Sequence, residues 1–260
     1  MLRLLTLLTT LISFATFSAP KSELWQYWDR SNEESTQTIA HQSWQTFIDK
    51  YVVVEGEHHL VNYKAVSHAD KRALEQYIRT LSSIDPRNYS RAEQYAYWVN
   101  LYNAITVDLI LDSYPVKSIT KLGGLFSFGP WGDDVIRIND KALTLNDIEH
   151  RILRPIWNDP RTHYAVNCAS LGCPNLQTSA FTADNTQALL DQAAKEFITS
   201  SKGVSLIEGK LTLSEIYDWF AVDFGTKQQL FEHLAQYKGE LKGYSGKVNY
   251  EYDWSLNDSK

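Results

Sequence analysis

Two cysteines, a histidine and an arginine lie within sixteen residues of this 260-residue sequence and are its strongest candidates for chemistry. The segment, residues 159–174, reads DPRTHYAVNCASLGCP and contains Arg161, His163, Cys168 and Cys173. A cysteine becomes an effective nucleophile when a histidine, an arginine or a helix N-terminus stabilises its thiolate. The segment therefore predicts thiol chemistry, with Cys168 as the candidate nucleophile.

Residues 162–167 have the composition of a short buried strand, bounded by an Asp-Pro pair before it and by small residues after it. In a regular strand, residues five apart point to opposite faces. His163 and Cys168 are therefore not expected to meet unless the strand breaks between them. His163 remains a candidate catalytic residue on the other face, which it shares with Asn167.

The preferred histidine partner for the nucleophile comes from the preceding helix, predicted over residues 145–157. His150 lies on a polar face of this helix, and Glu149 is a candidate to orient it. Arg154, one helical turn after His150, and Arg161 are candidates to bind a substrate carboxylate; the alternative is that both form structural ion pairs.

The strongest helical signal begins with a capping box at Ser90 and continues through residues 97–111, which are almost entirely apolar. Such a helix is buried on most sides, so its polar residues are informative. Asn100 and Asn103 share one face, and an unsatisfied buried amide group costs about 1–3 kcal/mol. They either hydrogen bond to the backbones of loops or belong to the catalytic site.

The remaining pattern predicts a single α+β domain with a buried central helix, several amphipathic helices and short strands or hairpins. No internal repeat or interdomain linker is present. Amphipathic helices are predicted at residues 39–52, 70–81, 182–200 and 227–237, hairpins at 52–63, 135–143 and 204–213, and a closing strand at 248–254. The chain divides into an export signal (1–18), an N-terminal arm with helices and a hairpin (19–89), a core (90–237) and a C-terminal strand and tail (238–260).

The first residues predict export. An apolar run at residues 4–17 is followed by the small residues Ser18 and Ala19, near which cleavage of a signal peptide is expected. An uncleaved anchor is the alternative, although the run is shorter than the about 20 residues that span a bilayer. No later segment reaches that length, so the mature chain is expected to be soluble and periplasmic or extracellular. The net charge of −6, without a basic face, argues against nucleic acid as a partner.

In an oxidising compartment, Cys168 and Cys173 are also candidates for a disulfide, since they lie five residues apart. The same cysteines with His150 and His163 offer four possible metal ligands, but their spacing matches no standard zinc pattern. We therefore expect neither a metal nor another cofactor. A second histidine pair, residues 58–59, is expected at an exposed hairpin turn.

Several long motifs occur in one consistent order: YWVNLYNAITVDLIL at residues 97–111, TLNDIEHRILR at 144–154 and DPRTHYAVNCASLGCPNL at 159–176, followed by a helix ending AKEFI and the hairpin KGVSL. Through these motifs the chain resembles the family known as domain of unknown function 547, over about residues 90–235. The resemblance implies no established activity. It also implies that Cys168 matches the family's pattern, whereas the position of Cys173 can hold serine, which argues against an obligatory disulfide.

Two functions follow as hypotheses. The first is a thiol-dependent hydrolase or acyl transferase centred on Cys168, acting on an unknown peptide or small molecule. The second is a non-enzymatic envelope scaffold or peptide-binding protein in which Cys168 and Cys173 form a structural disulfide. A helix with Asn100 followed by a strand with His163 is similar to the order of papain-like and transglutaminase-like folds, with asparagine in place of the cysteine. That analogy favours a non-catalytic peptide binder.

Overall fold

The computed structural model describes residues 20–124 and 128–259, so the expected signal peptide, residues 1–18, lies outside the described residues. Within them, the chain forms one α+β fold, as predicted. The helices are α1 Gln42–Tyr51, α2 His68–Ser82, α3 Arg91–Ser113, a π-helical segment Asp147–Leu153 that continues as α4 Arg154–Trp157, α5 Thr162–Ala165, α6 Thr186–Thr199, α7 Ile216–Trp219, α8 Ala221–Phe224 and α9 Lys227–Ala235. The strands are β1 Val52–Glu55, β2 His58–Val61, β3 Ile136–Ile138, β4 Lys141–Leu143, β5 Val204–Ile207, β6 Lys210–Ser214 and β7 Val248–Glu251. Short 3₁₀ turns lie at Tyr63–Ala65, Pro86–Asn88, Ile119–Lys121 and Gly239–Leu241.

The central helix α3 is buried along most of its length, which confirms the prediction. Ser90 caps its N-terminus by accepting a hydrogen bond from the backbone N–H of Glu93. The Glu93 carboxylate does not close the expected capping box, because it accepts the backbone N–H of Ile39 instead. This hydrogen bond therefore links the N-terminus of α3 to the N-terminal arm. No helix of the described ranges is both long enough and apolar enough to cross a membrane.

The core consists of two hydrophobic clusters that meet at the segment after α4. The first surrounds α3 and includes Trp28, Trp44, Leu81, Trp98, Ile105, Ile148 and Ile152. The second lies between α6, the β5–β6–β7 sheet and α7 to α9, and includes Phe197, Leu213, Tyr217, Phe224 and Leu234. Two adjacent residues of α5 join them, since Tyr164 packs in the second cluster and Ala165 in the first. His163, which precedes them, therefore lies at the seam.

The three-stranded sheet returns the C-terminal segment to this seam. β6 pairs antiparallel with β5, and β7 pairs parallel with β6, with Leu211 opposite Val248. The chain after β7 then runs beside the cysteine loop, where the N–H groups of Leu171 and Gly172 donate to the carbonyls of Ser255 and Asp253, both at 2.8 Å. This pairing brings the aromatic residues that follow β7 close to the two cysteines.

The predicted strand at residues 162–167 is wrong, because residues 162–165 form the helical turn α5. Asp159 starts this turn: its side chain accepts the N–H of Arg161 at 2.9 Å, and its carbonyl accepts the N–H of Thr162 at 3.0 Å. These local bonds favour a helical turn after the Asp-Pro pair. The alternation argument that separated His163 from Cys168 therefore does not apply.

The second histidine of the β1–β2 hairpin is also not exposed as expected. The hairpin itself is confirmed, with Val53 opposite Leu60. His59, however, is buried, and its Nδ1 lies 2.8 Å from the carbonyl oxygen of Leu176. The hairpin packs against the segment after the cysteine loop, a long-range contact that places this side chain inside.

Candidate active site

A cavity with a volume of about 270 Å³ lies where the two clusters meet. Its walls are mainly aromatic, and its polar groups are few and convergent, as in many ligand sites. The aromatic lining consists of Tyr102, Phe128, Trp131, Trp219, Phe220, Tyr252 and Trp254; the residues with ionisable or thiol side chains are Glu149, His150, His163, Cys168 and Cys173, and Pro20 also contributes. Both predicted histidines and both cysteines therefore line one cavity.

Asn103 holds the segment that carries Cys168. Its side-chain N–H donates to the carbonyl of Ala165 at 2.9 Å, and its oxygen accepts the backbone N–H of Asn167 at 2.8 Å. The Asn167 side chain in turn donates to the carbonyl of Pro174 and accepts the N–H of Ala169. The two amides brace both ends of the cysteine loop, so the position of Cys168 is set from the buried face of α3.

Asn100, one turn earlier on α3, serves a different loop. It donates to the carbonyl of Phe181 at 2.8 Å and accepts the N–H of the same residue at 3.0 Å. It is fully buried and does not line the cavity. Both asparagines therefore pair with loop backbones, and only Asn103 acts on the segment that carries the thiol.

Cys168 is partly exposed, and its sulfur has three hydrogen-bonding neighbours. Sγ lies 2.9 Å from the hydroxyl of Tyr252, 2.9 Å from Sγ of Cys173 and 3.4 Å from the hydroxyl of Ser170. Burial raises the pKa of the Cys168 thiol, but the hydrogen bonds from Cys173, Ser170 and Tyr252 outweigh it and hold the pKa below its ordinary value. The surroundings therefore favour the thiolate.

Cys173 has the opposite character. It is buried, and burial together with the adjacent Cys168 raises the pKa of its thiol well above the ordinary value. It accepts the backbone N–H of Cys168 at 3.0 Å. The two cysteines are free thiols in this structure, with sulfurs 2.9 Å apart instead of the about 2.05 Å of a disulfide. The pair thus combines a thiol that ionises readily with a neighbour that stays protonated.

His163 is oriented by Asp223, a residue of α8. Its Nε2 lies 2.7 Å from Oδ2 of Asp223. Burial raises the pKa of this carboxyl group, but hydrogen bonds from His163 and Arg154 outweigh it and lower the pKa to about 2. The carboxylate is therefore ionised and requires the proton on Nε2. In the neutral ring the lone pair is then on Nδ1, which has no hydrogen-bond partner within the described residues.

His150 has the same Nε2–H tautomer, but in this ring the lone pair on Nδ1 is engaged and the N–H is not, within the described residues. Its Nδ1 lies 3.0 Å from Nη1 of Arg154, and since a guanidinium can only donate, Nδ1 is the acceptor. Burial lowers the pKa of His150 to about 4, so the ring is neutral and its proton is on Nε2. A ring in this state donates a hydrogen bond into its surroundings and has no free lone pair. The contacts therefore favour His163 as the base, whereas the sequence pattern favoured His150.

The two candidate arginines are placed differently. Arg154 is buried and links the site, since its Nε donates to Asp223 at 2.6 Å and its Nη1 donates to the carbonyl of Pro20 at 2.9 Å. Arg161 does not line the cavity. It pairs with Asp159 and Asp191, which agrees with the structural alternative for this residue.

Sequence reasoning missed three residues of the site: Asp223, Ser170 and Tyr252. Asp223 lies 60 residues after His163 and has no neighbouring motif. Tyr252 follows β7, and two long-range pairings bring its hydroxyl to the thiol: that of β7 with β6, and that of the following residues with the cysteine loop. A tyrosine next to the end of a strand offers no local signal of this kind.

The residues that could hold a metal lie elsewhere. Within the described ranges, the side chains of Glu75, Asp108 and Asp112 bring three possible ligand atoms within 4.8 Å of one another. Lys71 forms ion pairs with Glu75 and Asp112, so its ammonium group already binds two of these three side chains.

Comparison with known proteins gives one match. Residues 86–198 match the family described as "Protein of unknown function, DUF547", which confirms the resemblance drawn from the motifs. This range includes α3, the π-helical segment and the cysteine loop. No curated protein and no solved structure matches the chain.

Proposed function

We propose from its cavity that this protein, whose residues 86–198 match the DUF547 family, a family description that assigns no activity, is a thiol-dependent hydrolase or acyl transferase with Cys168 as nucleophile. The observation that carries the proposal is the environment of Sγ of Cys168. Tyr252, Cys173 and Ser170 lie within hydrogen-bonding distance of a partly exposed sulfur in the wall of an aromatic cavity, and each can donate to it when it is a thiolate. A thiol that served only for packing would not need its thiolate stabilised.

The two histidines of the cavity have complementary tasks. His163 presents an unprotonated Nδ1 and accepts a proton, directly or through a water molecule. The imidazolium that forms is stabilised by Asp223 at Nε2 and by Glu149, whose Oε1 lies 3.9 Å from Nδ1. His150 donates from Nε2 and can stabilise negative charge on a carbonyl oxygen of the substrate.

The reaction proceeds in two acyl-transfer steps. The thiol of Cys168 first gives its proton to His163, and the thiolate attacks the carbonyl carbon. A sulfur–carbon bond forms, and the bond to the leaving group breaks while the leaving group takes this proton from His163. In the second step, water or another nucleophile gives a proton to His163 and attacks the thioester; the carbon–sulfur bond breaks, the acyl group is released on the new nucleophile, and the sulfur takes the proton from His163, which restores the thiol.

The N-terminal pattern supports export, and export makes the oxidation state of the cysteines decisive. If Cys168 and Cys173 formed a disulfide in the exported protein, the nucleophile would be blocked and the scaffold hypothesis would be favoured. Sulfurs already 2.9 Å apart need little movement to pair. The proposal therefore requires that both thiols stay reduced.

The test is labelling by iodoacetamide at neutral pH, followed by intact-mass analysis. The wild-type protein and Cys173→Ser are expected to gain one label rapidly, and Cys168→Ser is expected to label slowly. A panel of p-nitrophenyl esters and amino-acid anilides then tests turnover, which Cys168→Ser is expected to abolish. A stable Cys168–Cys173 disulfide in exported protein, or equal turnover by Cys168→Ser, would contradict the proposal.

A further inference from the structure

The N-terminal arm lies along the helix that carries His150, and its first described residue lines the cavity. The backbone N–H groups of Glu23 and Trp25 donate to the carbonyls of His150 and Arg151 at 3.0 and 2.9 Å. Farther into the cavity, the carbonyl of Pro20 accepts from Arg154. An extended segment thus runs into the candidate active site, held there by backbone groups.

Pro155 leaves one of these two carbonyls without its helical donor. In this part of the chain the N–H of Arg154 bonds to the carbonyl of Glu149, five residues earlier, which is the π-helical pattern. Residue 155 would bond to the carbonyl of His150 in that pattern, or to that of Arg151 in an α-helix. Proline has no N–H, so it cannot donate to either. Buried carbonyls need donors, and the arm supplies them.

The arm has a firmly packed part and an exposed part. Trp28 is buried against Trp98, with ring centroids 5.2 Å apart, and the guanidinium of Arg151 lies 4.5 Å from the centre of the Trp25 ring. Residues 20–23 are exposed. In this exposed part, only the N–H of Glu23 and the carbonyl of Pro20 form hydrogen bonds with the helix that carries His150. These bonds do not depend on side-chain identity, so another extended peptide can make them.

We infer that residues 20–23 occupy the peptide-binding track of the cavity, and that the substrate is a polypeptide bound in extended form. In this complex, a carbonyl of the substrate takes the place of the Pro20 carbonyl on Arg154. One of its N–H groups takes the place of the Glu23 N–H on the carbonyl of His150. The exposed part of the arm competes with the substrate for these positions. The inference rests on the proposed function, since it names the substrate class of that site.

The experiment uses Glu23→Pro, which removes the N–H that binds the carbonyl of His150 while the anchor at Trp25 and Trp28 stays. The probe is the peptide acetyl-Pro-Lys-Ser-Glu-Leu-amide, the sequence of residues 20–24, followed by the fluorescence of the cavity tryptophans. If the arm occupies the track about nine-tenths of the time, Glu23→Pro binds the peptide roughly tenfold more tightly than the wild-type protein. The matched control Ser22→Pro places the same residue next to the bonded position and is expected to bind like the wild type.

A second probe removes the same hydrogen bond from the ligand. In it, the amide that joins Ser and Glu is replaced by an ester, and Glu23→Pro is expected to bind it several-fold more weakly. Equal affinity of wild type and Glu23→Pro for the amide peptide, or equal affinity of Glu23→Pro for the amide and the ester, would overturn the inference. The rate of Cys168 alkylation is measured on the same samples. Fast alkylation without peptide binding would contradict the peptide-track inference but not the proposed enzymatic function. Peptide binding with alkylation as slow as that of an ordinary thiol would contradict the enzymatic function but not the peptide track.

Discussion

The buried face of α3 and the histidine wall of the cavity both contain polar groups inside the protein, but they differ in how those groups are satisfied. On α3, the amides of Asn100 and Asn103 each donate to one backbone carbonyl and accept one backbone N–H. On the opposite wall, Nδ1 of His163 is buried without a partner within the described residues. The first arrangement stabilises a fold, and the second leaves a buried proton acceptor without a donor in a residue that lines the cavity.

The largest expected effect comes from the histidine wall. Replacing His163 with Gln keeps a donor for Asp223 and removes the base, so turnover of an acyl substrate is expected to fall by about 10²–10⁴-fold. His233→Gln is the matched control, since His233 bonds to Tyr164 outside the cavity lining. Equal turnover of the two variants would contradict the role of His163 as the general base.

Substitutions on the buried face of α3 are expected to lower the stability of the fold. Asn103→Ala and Asn100→Ala each leave a buried carbonyl and a buried N–H unpaired, so each is expected to lower the free energy of unfolding by about 2–5 kcal/mol. Urea denaturation measures this loss. Only Asn103→Ala is expected to slow alkylation of Cys168, because only Asn103 bonds to the segment that carries it. Equal slowing by both variants would contradict this division.

A smaller effect is expected where the C-terminal segment meets the thiol. Tyr252→Phe removes one hydrogen bond to Sγ of Cys168, which raises the pKa of the thiol and slows its alkylation at pH 7 by about tenfold. Tyr250→Phe, on β7 and outside the cavity lining, is the control. An unchanged rate in Tyr252→Phe would mean that the other two neighbours set the pKa.

The smallest expected effect is on the pH dependence of stability. Burial lowers the pKa of both His41 and His150 to about 4, whereas an unfolded histidine has a pKa of about 6.5. The unfolded chain therefore binds more protons between these values, and stability falls as the pH drops through this window. Between pH 7 and 5.5 the loss is about 1 kcal/mol per histidine. His41→Gln is expected to reduce this slope in urea denaturation without changing Cys168 alkylation; a slope equal to that of the wild type would contradict it.

The difference between the two regions also shows what could be predicted from the sequence. Ser90, the apolar run that follows it and the two asparagines specify a buried helix with paired amides, because capping and burial are local properties. The hairpins around residues 56, 139 and 208 were predictable for the same reason. The family resemblance and the candidate residues around Cys168 also follow from contiguous motifs.

The histidine wall could not be predicted in the same way. Residues 162–167 are buried on nearly every side, so their periodicity could not separate a strand from a helical turn. The partners that decide the roles of the histidines are Asp223 for His163 and Arg154 for His150. Asp223 is distant from His163 in the chain, and the sequence shows Arg154 only as a neighbour of His150 on the same helix. A tautomer depends on such contacts, and no local pattern contains them.

The central claim, that the site activates Cys168 as a nucleophile, is tested most directly by the rate of its alkylation as a function of pH. We expect a single ionisation of Cys168 with a midpoint below that of an ordinary cysteine, whose pKa is about 8.5. The midpoint should shift upward in Tyr252→Phe, which removes a hydroxyl group next to the sulfur. A midpoint at or above the ordinary value in the reduced wild-type protein would contradict the account.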